Sequence, residues 1–146
     1  MEVTVKELTY QTPEYDAAFA LRNEILRVPL GLDLYSESLP NEARSIHCGA
    51  FAGNKLVGAM NFYEQAPGEY YLQQIVVAND VQTSGVGRKL MELMEKILLK
   101  KGIKKITMNA RMSVVGFYEK LGYYTVGEPF YKRDRFPEQI RMDKDL

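Results

Sequence analysis

Apolar and polar positions change rhythm several times along this 146-residue chain, and each change marks an element. Residues Val3 to Leu8 alternate and read as a first strand. Thr12-Pro13-Glu14 then has the chemistry of a helix start, with Thr12 as N-cap and Pro13 at the first helical position. Tyr15, Ala18, Phe19, Leu21, Arg22, Ile25 and Leu26 follow at helical spacing until the stop before Pro29. From Leu30 to Asn41 the pattern weakens to a loop or short helix. Ile46–Ala52 and Leu56–Tyr63 form two strand-like runs around Gly53-Asn54-Lys55, a hairpin signal. A second turn at Ala66-Pro67-Gly68 leads into the strand Tyr70–Val77.

The strongest helical signal comes next, from Arg88 to Lys101. Val86, Leu90, Leu93, Met94, Ile97 and Leu98 share one face, Arg88, Glu92, Lys96 and Lys100 the other, and Gly102 is the stop. Ile103–Asn109 is predicted as a strand parallel to the one ending at Val77, by the usual β-α-β crossover. A short helix, Ser113 to Leu121, starts at a Ser N-cap and stops at Gly122. Strands at Tyr123–Val126 and Gln139–Met142, joined by a Pro129–Pro137 loop, close the chain. The order β-α-β-β-β-α-β-α-β-β, without repeat or linker, predicts one mixed α/β domain over residues 1–146.

Composition narrows the function classes. Apolar residues are 46% and charged residues 26%, as in a globular protein. Lys plus Arg equals Asp plus Glu at 19 each, so no global field recruits nucleic acid or an anionic membrane. The local run Lys132-Arg133-Asp134-Arg135 reads as a solvated loop. One cysteine, Cys48, and one histidine, His47, argue against an internal disulfide and against a metal site. His47 reads as a structural histidine. No apolar run approaches a membrane span and the N-terminus has no signal-like h-region, so a cytoplasmic protein is expected.

Candidate chemistry begins at Gln82-Thr83-Ser84-Gly85-Val86-Gly87-Arg88, between the strand and the amphipathic helix. Strand, glycine turn and helix start together aim free backbone N–H groups and a helix dipole at one spot, which suits a phosphate or pyrophosphate. The spacing is neither a P-loop nor a complete G-x-G-x-x-G, since Leu90 stands at the third glycine position, and no acidic ribose ligand is evident. A plain strand-to-helix turn stays open on these residues alone.

Q-x-x-G-x-G after a strand ending in Val76-Val77, with Phe117-Tyr118-Glu119-Lys120-Leu121-Gly122-Tyr123 downstream, resembles the GNAT superfamily of acyl-coenzyme A-dependent N-acetyltransferases. Leu21-Arg22-Asn23-Glu24-Ile25-Leu26-Arg27, Asn109-Ala110-Arg111 and Ile140-Arg141-Met142-Asp143-Lys144 are similar to segments of the branch with ElaA-like proteins and glyphosate N-acetyltransferases. The resemblance implies the GNAT-like α/β fold, a central mixed, mostly antiparallel sheet flanked by helices, and acetyl-CoA as co-substrate. It implies that backbone groups of Ile75 and Val77 pair with the pantetheine arm and acetyl carbonyl. Amides from Gln82 through Thr83, Ser84, Gly85, Val86 and Gly87 to Arg88 would hold the pyrophosphate. Tyr118 would be the general acid on the departing thiolate, because a phenol is protonated at neutral pH.

For the acceptor the resemblance implies a pocket with Arg27, Arg111, Gln73 and Gln139. Two arginines suit a carboxylate or phosphonate, although surface ion pairs are their alternative. The family's usual bases are replaced: Gln74 stands where many members carry glutamate, and Gln139 where this branch carries histidine. A branch arginine is replaced by Gln73. Water, Glu138, Glu64 or the neutral fraction of the amine are left to manage the proton. The implied activity is transfer of an acetyl group to a small, amine-bearing and anionic molecule, by a monomer or homodimer. A peptide or protein N-acetyltransferase and a non-catalytic acyl-CoA-binding module are the alternatives.

Overall fold

The computed structural model describes residues 2–81 and 85–146. Seven strands form one sheet: β1 (Thr4–Leu8), β2 (Ile46–Ala52), β3 (Lys55–Ala66), β4 (Glu69–Val77), β5 (Lys105–Arg111), β6 (Tyr124–Phe130) and β7 (Gln139–Asp145). Their order is β1-β2-β3-β4-β5-β7-β6. β4 and β5 run parallel and every other pairing is antiparallel, as a mixed sheet with one crossover helix requires. Three α-helices accompany it: α1 (Pro13–Leu26), α2 (Val86–Lys100) and α3 (Val115–Lys120).

Helix α1 starts as its sequence requires. Thr12 Oγ1 accepts from the Tyr15 amide at 3.3 Å, Pro13 sits in the first turn, and Glu14 and Asp16 complement the dipole there. It lies over one face of the sheet, where Ala18 and Leu21 pack with Leu8, Phe51, Ala59 and Val76. Helix α2 covers the other face, where Val86, Leu90, Met94 and Leu98 pack with Ala50, Met60, Phe62 and Leu72. Met91 is fully buried while Leu93 and Ile97 are half-buried, so the buried stripe is turned slightly from the predicted one. A Cβ on Gly58 would stand 2.9 Å from Val86 Cγ1 and 3.1 Å from Leu90 Cδ1, so the absent side chain sets the close approach of α2 to β3.

Several predicted boundaries move. The stretch after α1 holds two short 3-10 turns, Val28–Leu30 and Leu34–Ser36. Helix α2 begins at Val86, two residues before the prediction, with Gly85 as N-cap in the left-handed region at φ 78. β5 begins at Lys105, because the Ile103 amide bonds back to the Leu98 carbonyl in the turn after α2 and the Lys104 amide to the distant Gly68 carbonyl before β4. Ser113 does not cap a helix: Met112–Val114 is a 3-10 turn, and α3 has no side-chain cap. β6 extends to Phe130 and includes Pro129, tolerated on an edge strand beside an irregular stretch of pairing with β7.

Strand β4 is irregular in two ways. Asn61 pairs with Gln74 and Phe62 with Leu72, leaving Gln73 as the extra residue of a β-bulge. The bulge reverses the alternation of the strand. Leu72 packs on the α2 side, while Val76, an even number of residues on, packs on the α1 side. The ladder to β5 also ends here. It runs from Glu69–Lys105 to Leu72–Met108, although β4 continues to Val77 and β5 to Arg111.

Candidate active site

Beyond Leu72 and Met108 the two parallel strands have separated, and a cavity of about 430 Å³ opens between them. The far half of β4 and the end of β5 form its floor, with α1, α2, α3 and the segment before β7 around it. Where the strands separate, their facing edges no longer pair with each other, which leaves room for a chain molecule between them. Ile75, Val77, Gly85, Gly87 and Arg88 from the predicted cofactor set line this cavity. So do Tyr118 and the predicted acceptor residues Arg27, Gln73, Arg111 and Gln139. The Val86 side chain does not; it is fully buried against β3, which leaves only its backbone for any ligand. Gln82, Thr83 and Ser84 lie outside the described residues.

At the glycine turn, no described side chain caps the N-terminus of α2. Gly87 faces α3: a Cβ there would be 3.2 Å from Phe117 Cζ. Glycine therefore lets α2 approach the helix that carries Tyr118. Burial raises the Tyr118 phenol to about 12, against a smaller opposing effect of the Arg111 charge. The phenol therefore stays protonated at any physiological pH. Its hydroxyl makes no hydrogen bond with a described residue, and Phe117 and Tyr123 hold the ring edge-to-face at 5.1 and 6.1 Å.

The two arginines differ. Arg27 Nε donates to Glu37 Oε2 at 2.6 Å and its guanidinium stacks on Phe136 at 4.8 Å, so its charge is already matched. Arg133 reaches the same Glu37 carboxylate at 3.3 Å and the same Phe136 ring at 4.4 Å. Burial opposes the charge on Glu37, yet the two arginines outweigh it and hold the carboxyl below its usual range. Arg111 has no carboxylate within ion-pair distance among the described residues. Burial and the nearby Arg27 charge make its cation less favourable than in water. With Arg88 and Lys132 on the lining and no Asp or Glu among the described lining residues, the cavity is cationic.

Polar groups complete the wall. Gln73 Oε1 accepts from Asn61 Nδ2 at 2.7 Å. Gln139 also lines the cavity, and its Oε1 is a buried oxygen with no hydrogen-bond partner among the described residues. Neither Glu64 nor Glu138 lines the cavity; Glu64 instead accepts from the Gly68 amide at 3.2 Å. His47 is buried away from the site, its Nε2 2.9 Å from the Glu42 carbonyl, and burial lowers its pKa. Among the described residues no cluster of His, Cys, Asp or Glu could hold a metal ion. No helix of the described residues is long and apolar enough to cross a membrane.

Lys132 and Phe136 were not predicted for the site. The Lys132–Arg135 run is exposed, as a solvated loop would be, but Arg133 ties it to Glu37 and Arg135 donates to the Gly31 carbonyl at 3.3 Å. An aromatic residue just after a basic run, Phe136 before Pro137, was the available signal.

The family profile for the acetyltransferase (GNAT) domain matches residues 29–144, and the chain belongs to that family. It is a GNAT-type acetyltransferase. An uncharacterized N-acetyltransferase of Bacillus subtilis, YitI, is 26% identical over 129 residues, covering 84% of this chain and 87% of its own. Among solved structures, Escherichia coli ElaA superposes with a TM-score of 0.83 at 15% identity, covering 98% of this chain and 99% of its own. An acyl-CoA N-acyltransferase from Pseudomonas aeruginosa gives 0.80 at 19%, covering 98% of each chain. A GNAT family acetyltransferase from Elizabethkingia anophelis with acetyl-CoA bound gives 0.71 at 19%, covering 99% and 98%. At these identities the structural likeness concerns the fold.

Proposed function

We propose that this protein, acting as a single unit over residues 1–146, transfers the acetyl group of acetyl-CoA to the amine of a small anionic molecule. The observation that carries the reading is the lining of the cavity, with Arg88, Arg111 and Lys132 beside the Glu37-paired Arg27 and no carboxylate among its described residues. The N-terminus of α2 and Arg88 suit the phosphates of the donor, and the separated strands suit its extended arm. The thioester of acetyl-CoA supplies an activated acetyl group and a thiolate leaving group. In this reading the Ile75 amide donates to the acetyl carbonyl oxygen as the amine attacks. The Tyr118 hydroxyl gives its proton to the departing sulfur.

Arg111 serves the acceptor's anionic group, with Gln139 on the same wall. No lining carboxylate is needed as a base. A guanidinium beside the amine disfavours its ammonium form, so the reactive neutral amine is favoured and its proton leaves to water. In the same reading the protein works in the cytoplasm, as a monomer or homodimer, and stands close to the ElaA-like branch.

Thiol release from acetyl-CoA, measured over a panel of amino acids, aminophosphonates, polyamines and short peptides, tests this. Amino acids or aminophosphonates should turn over with lower KM than polyamines. The reverse order would refute the anionic acceptor. Saturable coenzyme A binding by calorimetry without thiol release from any amine would leave an acyl-CoA-binding module instead.

A further inference from the structure

Behind the cavity wall lies a buried charged network that the acetyl-transfer reading does not use. Arg22 of α1 is 1% exposed and clamps Glu42 with both terminal nitrogens, at 2.6 and 3.1 Å. Tyr15 donates a further hydrogen bond to Glu42 at 2.6 Å. Burial opposes the Glu42 charge, but Arg22 and Tyr15 outweigh it and keep the carboxyl ionised. The remaining guanidinium nitrogen, Nε, donates to Gln74 Oε1 at 2.6 Å.

That last bond determines which way the Gln74 amide faces. A guanidinium carries donors only, so the oxygen of the amide must be the end that meets Arg22. The NH2 end is then turned away from the network. It makes no hydrogen bond with a described residue, it is not among the buried polar atoms left without a partner, and Gln74 lines the cavity. The bulge at Gln73 is what brings this about, because it moves Gln74 to the α1 face where Arg22 waits.

We propose that Gln74 is a substrate-contacting donor, its amide N–H aimed at an oxygen of the acceptor, and that Arg22 is the positioning residue that holds it so. This rests on the acetyl-transfer reading of the same cavity. A glutamate at position 74 would face the same Nε and be held ionised by Arg22, so it would make a poor proton acceptor. Glutamine offers the cavity two donors from that position and no charge.

The experiment uses the most rapidly acetylated amino acid or aminophosphonate of the panel, and measures KM for it and for acetyl-CoA. Gln74→Glu keeps an acceptor for Arg22 and removes both donors; Gln74→Met removes the donors without adding charge. Each should raise the acceptor KM about tenfold, with the acetyl-CoA KM unchanged. Arg22→Lys should raise the acceptor KM in the wild-type background and have no further effect in Gln74→Met, because it acts through Gln74. Thermal melts report folding, and Gln74→Glu, which keeps the Arg22 bond, carries the test if Gln74→Met does not fold. An acceptor KM within twofold of wild type in the Gln74 variants overturns the donor role. An equal Arg22→Lys effect in both backgrounds overturns the positioning role. A wild-type protein that releases no thiol with any amine of the panel sinks the acetyl-transfer reading itself, and this inference with it.

Discussion

Replacing Tyr118 by phenylalanine removes one oxygen atom from a ring that is 7% exposed and held between Phe117 and Tyr123. The hydroxyl has no partner among the described residues, so its loss strands no donor or acceptor, and stability should change by less than about 0.5 kcal/mol. The rate should respond differently. A positioned general acid contributes on the order of 100-fold or more, so kcat for thiol release should fall about 100-fold. The KM for acetyl-CoA should hardly move. The pH profile adds a second readout. With the phenol raised to about 12, roughly one molecule in a thousand is ionised at pH 9, against about a tenth for an ordinary tyrosine. Loss of the acid should therefore cause no alkaline fall in wild-type kcat below about pH 11. A kcat for Tyr118→Phe within threefold of wild type, at an unchanged melting temperature, would refute the acid role.

The core supplies further tests. Glu42→Gln removes the charge facing the fully buried Arg22 and should cost about 3–5 kcal/mol, read by denaturant unfolding. The Glu42 carboxyl is held below its usual range, so its contribution is present above about pH 4.5 and lost as the pH falls through its folded value. Acid unfolding of the wild type should show a steeper loss below pH 4.5 than that of Glu42→Gln. Gly58→Ala would push a methyl group to 2.9 Å from Val86 and should cost about 1–3 kcal/mol in the same assay.

Much of the architecture was legible because it depends on neighbours in the chain. The Thr12-Pro13 start of α1, the apolar face of α2 and the stop at Gly102 are local chemistry, and the structure keeps all three. Misplaced boundaries, such as the Ser113 cap and the start of β5, were set by hydrogen bonds to residues distant in sequence or by a 3-10 turn preferred to a capped helix. For the site, the motif resemblance pointed to Tyr118, Ile75, Gly85, Gly87 and Arg111, and all five line one cavity. It could not reveal that Arg27 is matched by Glu37, or that Phe136 and Lys132 reach the same wall from a distant loop.

By itself the sequence determined the glycine turn, the helix it starts and the tyrosine downstream, because each is written in consecutive or periodic residues. Tertiary structure alone decided the surroundings of the two glutamines, Gln74 and Gln139, that stand where the resemblance implies bases. A bulge exists only relative to a partner strand, so Gln73 becomes the extra residue only when β3 lies beside β4. An amide has a direction only when something selects between its oxygen and nitrogen, and for Gln74 that selection is made by an arginine 52 residues away. Gln139 Oε1 is left without a partner for the same kind of reason: among the described residues its surroundings, not its neighbours in the chain, provide it no donor.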